Sequence, residues 1–353
     1  MARERKPDEK QKLTGNNSAT PALKPPRRPR QVKPPPAPPH RTASPAKPLT
    51  VAIIGAGRLG SALAVALSES GYEIVALVSR RLAHARKSAR ALNTPPLALD
   101  ATQLDLIPCA DLVLFTTPDD QITEAATQFA QSLTARASRP RAGRATTAAA
   151  AVALHASGAL ASDALAPLRA HNFALGSLHP LVSISDAASS AKNLHGAFYC
   201  LEGDTSALRA ARRIVRALDG HSFSLAARDK ALYHAAAVIA SGHSVALFDL
   251  AATLLARCGL TPSRARQVLL PLLRSTLDNL RTRPPAQALT GTFARADLTT
   301  VRKHLAALNH AQVPDALAIY ALLGQRSLQL TARRGKAGES ALAEIARLLA
   351  MKS

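Results

Sequence analysis

Three glycines stand in the order G-x-G-x-x-G within Gly55-Ala56-Gly57-Arg58-Leu59-Gly60. That spacing suits one chemistry above others, the cradling of a pyrophosphate by backbone N–H groups where a strand turns into a helix. The motif is weak as a string, but here an apolar β-type run, Thr50 to Ile54, precedes it and a helical stretch, Ser61 to Ser70, follows. Gly55 would permit the tight turn, Gly57 the close approach of backbone to phosphate, and Gly60 the packing of helix on sheet. Arg58 and Leu59 complete the turn. The whole unit, Leu49 to Arg81, reads as strand, turn, helix and second strand.

The end of that second strand discriminates between the two nicotinamide cofactors. An NAD site carries Asp or Glu there to accept the ribose hydroxyls. This chain has Ser79-Arg80-Arg81, a hydroxyl and two guanidiniums suited to a 2′-phosphate through charge-assisted bonds. NADP is therefore the expected cofactor. Thr116-Thr117-Pro118 ends a later strand and could line the nicotinamide ribose, or could simply terminate the strand.

Hydride transfer to a carbonyl or imine also needs a group that delivers or removes a proton. His155 and Ser157 lie at a strand end, and His179 follows Gly176-Ser177-Leu178 at an edge turn. Lys230 and His234 are four residues apart, on one face of a long helix. Each of these side chains could equally brace backbone or face solvent. Ser241, His243, Thr290 and Arg295 are weaker candidates.

Other chemistries have less support. The histidines are scattered, without HxxxH or HExxH, so no metal is expected, and no Walker lysine or GxSxG elbow is present. Cys109, Cys200 and Cys258 are too widely spaced for a disulfide framework, and a reducing cytoplasm is the expectation. No secretory h-region follows the N-terminus, and no apolar run is expected to approach the roughly 20 residues of a membrane span.

The formal net charge of +22, from 45 Lys and Arg against 23 Asp and Glu, suggests a polyanion. Much of the excess sits in residues Met1 to Lys47, in Pro-rich runs such as Pro25-Pro26-Arg27-Arg28-Pro29-Arg30. Such a segment cannot build a core and is expected to be a disordered tail. Beyond it the arginines are scattered among alanines without interleaved aromatics, which disfavours nucleic acid.

Positioning these residues requires alternating β and α elements. Further strands are expected at Glu73 to Val78, Leu97 to Leu99, Asp111 to Thr116, Ala151 to Leu154, Phe173 to Leu175, Gly196 to Leu201 and Ser222 to Leu225. Helices are expected at Arg81 to Leu92, Gln121 to Leu133 (with an Asp119-Asp120 cap), Ala159 to Ala170 and Ser206 to Leu218. Ala135 to Ala148 reads as a loop and Gly176 to Pro180 as a turn. The alternation predicts an α/β Rossmann fold, a parallel sheet with helices on both faces. From Asp229 onward no strand pattern remains, and Lys230 to Cys258 reads as one long helix. Residues 48–227 are thus expected to bind NADP, and residues 228–353 to form an all-α domain for substrate and dimerisation.

With these residues in view the chain resembles Rossmann-like proteins that carry a helical C-terminal domain of unknown function 2520, relatives of pyrroline-5-carboxylate reductase and 6-phosphogluconate dehydrogenase. The resemblance spans about Pro48 to Leu349. It rests on Gly55 to Gly60, His155-Ala156-Ser157-Gly158-Ala159-Leu160, Gly176-Ser177-Leu178-His179-Pro180-Leu181, Leu232-Tyr233-His234-Ala235-Ala236-Ala237-Val238 and Leu289 to Asp297. It departs from the family pattern at Ala240-Ser241-Gly242, where Ala-Ser-Asn is expected, and at Gly291-Thr292 and Arg295-Ala296-Asp297, where Gly-Pro and Arg-Gly-Asp are. The loss of an amide side chain removes a possible substrate contact.

The resemblance implies a helical domain that pairs two subunits, hence a homodimer, and a small-molecule substrate. Similarity of the His-Pro pair to that of prephenate dehydrogenases implies that His179 polarises or protonates a substrate atom. A helix Lys at the domain junction of related dehydrogenases implies that Lys230 meets the substrate, with His234 orienting it. The expected function is an NADP-dependent oxidoreductase. Two alternatives remain open at this point: an NADP-binding sensor or scaffold without catalysis, and polyanion binding through the basic tail.

Overall fold

A computed structural model describes residues 48–138, 151–335 and 338–352. The tail to Lys47, and most of the loop expected at Ala135 to Ala148, lie outside the described residues. Among those residues, eight strands form one sheet in the order β3-β2-β1-β4-β5-β6-β7-β8. They are β1 (Thr50–Ile54), β2 (Glu73–Ser79), β3 (Leu97–Asp100), β4 (Leu112–Phe115), β5 (Val152–His155), β6 (Ala174–Pro180), β7 (Phe198–Gly203) and β8 (His221–Ser224). Helices α1 (Arg58–Glu69), α2 (Leu82–Ala89), α3 (Ile122–Ala137), α4 (Ala187–Leu194) and α5 (Thr205–Ala217) connect them.

Alternation along the strands divides the core into two. Val51 and Ile53 pack with Leu63, Leu67, Leu194, Tyr199 and Ile214 on one face of the sheet. Ala52 and Ile54 pack with Phe115, Ile122, Phe129, Leu165 and Leu168 on the other. Period-two side-chain direction sends neighbouring residues to opposite faces, so both must be covered by helices.

Several elements differ from the sequence expectation. The sheet is not wholly parallel, because β6 and β7 run antiparallel with His179 opposite Cys200. Gly176 to Pro180 is strand rather than turn; Ser177 and Leu178 are buried there by strand pairing, which a local turn signal cannot anticipate. Ser162–His171 is 3₁₀ rather than α-helical and contains Pro167, whose missing N–H disrupts an α-helical ladder. Helix α3 continues to Ala137, into the expected loop. Helix α4 has no counterpart in the sequence reading.

After β8 the described chain is helical: α6 (Lys230–Ala240), α7 (Gly242–Arg257), α8 (Pro262–Thr282), α9 (Pro285–Ala288), α10 (Gly291–Ala294), α11 (Leu298–Ala311), α12 (Ala316–Ala332) and α13 (Glu339–Ala350). The expected single helix is interrupted at Ser241, with φ −115° and ψ −73°. Val301, Leu305, Ala321, Leu328, Ile345 and Leu349 build a separate small core from α11, α12 and α13. Helices α6 to α8 contrast with it. Lys230 is the buried residue of α6, Ala265 that of α8, and α7 buries none.

The stretch Ala227–Arg257 is long and apolar enough to cross a membrane by length and composition, with mean hydropathy 1.6. This corrects the expectation that no such run exists. Arg228, Asp229 and Lys230 stand at its start, and Ala231 to Phe248 carries no Asp, Glu, Lys or Arg.

Candidate active site

The strand order reverses direction between β1 and β4, and open α/β sheets bind ligands in the crevice beyond the strand ends at that point. Gly55 follows β1 and Thr116 follows β4. Gly55 has φ +113°, a region that L side chains rarely adopt. A Cβ there would stand 2.6 Å from the Thr116 carbonyl carbon, and one at Gly60 would stand 2.2 Å from the Gly55 oxygen. Thr116 Oγ1 donates to that oxygen at 2.8 Å. Both glycines are therefore demanded by the meeting of the two strand ends.

A cleft of about 990 Å³ opens there, lined by Gly55, Ala56, Gly57, Ser79, Arg80, Arg81, Thr116, Thr117 and Pro118, with His84, Gln121 and Glu124 on its flanks. Nine of the twelve residues expected at the cofactor thus share one cavity. Arg58, Leu59 and Gly60 form the first turn of α1 behind it. No side chain caps α1, which leaves the positive end of its dipole facing the glycine turn. The Thr117 hydroxyl is buried without a hydrogen-bond partner. An uncapped helix end, an orphaned hydroxyl and two exposed arginines at the end of β2 all fit a phosphate-bearing dinucleotide.

The second cluster lies on the neighbouring strands. His155 pairs with Phe115 across β4 and β5, and with Ser177 across β5 and β6. Its Nε2 donates to the Ala161 carbonyl at 3.0 Å, and its Nδ1 accepts from Ser157 N–H at 3.2 Å. Burial, with the Lys230 ammonium nearby, lowers its pKa to about 4 despite the bond to Ala161. His155 is consequently a neutral brace of the turn.

Ser157 Oγ donates to Asp119 Oδ2 at 2.8 Å and accepts from Ala159 and Leu160 N–H at 3.1 and 3.0 Å. One donor and two acceptor positions exhaust a hydroxyl. The structure thus gives Ser157 a bracing position, not one open to a substrate proton. The expected Asp119-Asp120 cap of α3 does not form: the residue before that helix is Gln121, and no side chain caps it. Instead Asp119 ties the turn after β4 to the turn after β5.

Lys230 is 1% exposed. Its Nζ donates to Ser177 Oγ at 2.7 Å and to the Ser157 carbonyl at 3.1 Å. Burial depresses its pKa, opposed by Cys200, Glu202 and Asp119. His179 and His234 are only partly buried, and their rings meet edge to face at 5.6 Å. His179 Nδ1 shares a 2.6 Å hydrogen bond with the Tyr233 hydroxyl, and burial lowers the pKa of His179 to about 4, helped by Lys230 and His234. The structure therefore brings His179, Lys230, His234 and Ser157 together, and adds Tyr233, Asp119 and Ser177. Tyr233 was legible only as part of the Leu232 to Val238 motif. Asp119 and Ser177 gave no spacing signal, since their partners lie 38 and 53 residues away. Among the described residues no group of three His, Cys, Asp or Glu is arranged for a metal.

Comparison with known proteins agrees with this architecture. Residues 50–137 match the family model described as NADP oxidoreductase, coenzyme F420-dependent, and residues 197–327 match the domain of unknown function 2520. No curated protein matches the chain. Protein TM1727 from Thermotoga maritima is similar in structure, with a TM-score of 0.60 and 22% identity over 81% of this chain and 100% of that one. A reductive aminase from Aspergillus terreus, crystallised with NADPH and ethyl levulinate, has a TM-score of 0.53 and 16% identity over 84% and 98%. An imine reductase from a Pseudomonas species has a TM-score of 0.52 and 20% identity over 84% and 99%. At these identities the likeness is one of fold. The NADP read from Ser79-Arg80-Arg81 is the cofactor by which the matched family is described. The chain thus carries one segment similar to the NADP-oxidoreductase family and a later one similar to the domain of unknown function 2520, the pairing that its motifs implied.

Proposed function

We propose that the protein is an NADP-dependent oxidoreductase that reduces a small carbonyl or imine, or runs the reverse reaction. The observation that carries this reading is the cleft at the strand-order reversal, in which the glycine turn and Ser79-Arg80-Arg81 face one cavity. The reductive aminase and imine reductase of the same fold support the substrate class. NADPH, when bound, supplies a hydride. Gly55, Ala56, Gly57 and the first turn of α1 (Arg58, Leu59, Gly60) hold its pyrophosphate. Ser79, Arg80 and Arg81 hold the 2′-phosphate, and Thr116, Thr117 and Pro118 line the ribose next to the reacting ring. His179 and His234 face the substrate, while Lys230 and Ser157 hold the turn that carries Gly158.

Residues 228–353 serve substrate enclosure and dimerisation in this reading. Leu232, Ile239, Val245 and Leu272 are 76%, 63%, 69% and 64% exposed. An apolar face of that kind calls for a cover, and a second copy of the chain offers the matching face under two-fold symmetry. In this reading the dimer works in a reducing cytoplasm, which the three widely spaced cysteines support. The deciding experiment titrates the protein with NADPH and with NADH, then follows NADPH oxidation across a panel of carbonyls and imines. Preference for NADPH and turnover of at least one panel member are expected; preference for NADH would overturn the cofactor assignment. Tight NADPH binding without turnover would favour a sensor.

A further inference from the structure

His179 sits on β6 and Tyr233 on α6, one helical turn beyond Lys230. The 2.6 Å contact between Tyr233 Oη and His179 Nδ1 can be made in two ways, with either group as donor. Its length is that of an O–H donor rather than an N–H donor, which settles nearer 2.9 Å. The surroundings favour the same direction. The Tyr233 phenol also interacts with the Cys200 thiol, opposite His179 on β7. Sulfur is a weak acceptor, so a phenol proton aimed at Cys200 would be spent poorly, whereas aimed at imidazole nitrogen it makes a strong bond. Burial raises the pKa of the Tyr233 phenol, which keeps that proton in place.

The other side of the ring is also defined. A Cβ on Gly158 would stand 2.9 Å from His179 Nε2 and 2.4 Å from His234 Nδ1. Both nitrogens therefore converge on the bare Cα of Gly158, and His234 Nδ1 is buried there without a hydrogen-bond partner. His179 is neutral at ordinary pH, so its tautomer alone decides whether Nε2 offers a proton or a lone pair to that niche.

We infer that Tyr233 is a positioning residue that locks His179 as the Nε2–H tautomer, presenting a neutral N–H donor over Gly158 to a lone pair of the substrate's carbonyl oxygen or imine nitrogen. The donor role rests on the oxidoreductase reading; the lock itself does not. The hydrogen bond polarises the substrate's double bond without transferring the imidazole proton, the proton that completes the alcohol or amine coming from water, and a neutral imidazole can do this where a charged one would be destabilised.

The test uses the full chain labelled with ¹⁵N-histidine, read by multiple-bond ¹H–¹⁵N correlation near neutral pH, with His179→Gln assigning the signals. In the parent protein His179 should show an unprotonated Nδ1 and a protonated Nε2. Tyr233→Phe should move both nitrogens toward averaged values, and Cys200→Ser should leave them in place. A proton on Nδ1 in the parent, or an unchanged Nε2–H pattern in Tyr233→Phe, overturns the lock. Should Tyr233→Phe not fold, the parent spectrum decides. Once a substrate is in hand, Tyr233→Phe should lower kcat roughly a hundredfold, with NADPH affinity and KM little changed. A Tyr233-dependent tautomer in a protein that turns over no carbonyl or imine would overturn the donor role while leaving the lock standing.

Discussion

The ammonium of Lys230 lies 2.7 Å from the hydroxyl of Ser177 and within hydrogen-bond distance of the Ser157 carbonyl. One buried cation thus ties the first helix of the C-terminal helical region to strand β6 and to the turn after β5. Lys230→Ala should destabilise the protein by about 1–3 kcal/mol, because buried acceptors lose their donor. Lys230→Met should cost less, since removing a buried charge relieves its desolvation. Urea denaturation of the three proteins checks the order, and equal midpoints would show that the ammonium braces nothing.

Gly60→Ala should disrupt the dinucleotide turn. The new methyl would stand 2.2 Å from the Gly55 oxygen and 2.5 Å from Thr116 Oγ1, and backbone cannot yield that much without moving the turn. NADPH binding, followed by nicotinamide fluorescence, should fall at least tenfold. Gly71→Ala is the control for a glycine with open space around its Cβ position, though its φ of +86° makes a modest loss of stability certain to accompany it.

Replacing Arg80 and Arg81 together by Ala should weaken NADPH by about tenfold to a hundredfold, the loss of one or two charge-assisted bonds. NADH, which lacks the 2′-phosphate, should bind the variant as it binds the parent. A parallel loss of both cofactors would mean that the arginines support the fold of the cleft and not the phosphate.

Acid should weaken the fold through two histidines. His155 and His179 have folded pKa values near 4, lowered by burial, against about 6.5 when unfolded. The folded state therefore binds fewer protons than the unfolded state in that window. Their contribution to stability is fully present above about pH 6.5 and is lost as pH falls toward about 4. Denaturation midpoints should drop between about pH 7 and pH 5, and His155→Gln should flatten that drop. A midpoint independent of pH over this range would contradict the buried neutral state.

The exposed face of α6 and α7 should govern assembly. Sedimentation of the parent is expected to give a dimer. Leu232→Asp with Val245→Asp, which places carboxylates at positions 76% and 69% exposed in one chain, should give monomers that keep the NADPH cleft. A parent that sediments as a monomer at all concentrations would remove the dimer.

What the sequence determined by itself was local and periodic. The glycine turn, the Ser79-Arg80-Arg81 strand end and the change from alternating elements to helices are written in neighbouring residues, because turn geometry and hydrophobic period act over a few positions. The helix from Arg58 and the strands flanking it followed from those signals within a few residues. Tertiary structure alone decided the antiparallel β6–β7 pairing, the burial of Lys230 and the joining of Ser157 to Asp119. Those contacts depend on strand order and register, which bring together residues far apart in the chain. For the same reason, His179 was visible as a candidate from its motif, but its neutral state and its bond to Tyr233 were not. Burial and a partner 54 residues away determine them, and neither is a property of the segment in which the histidine stands.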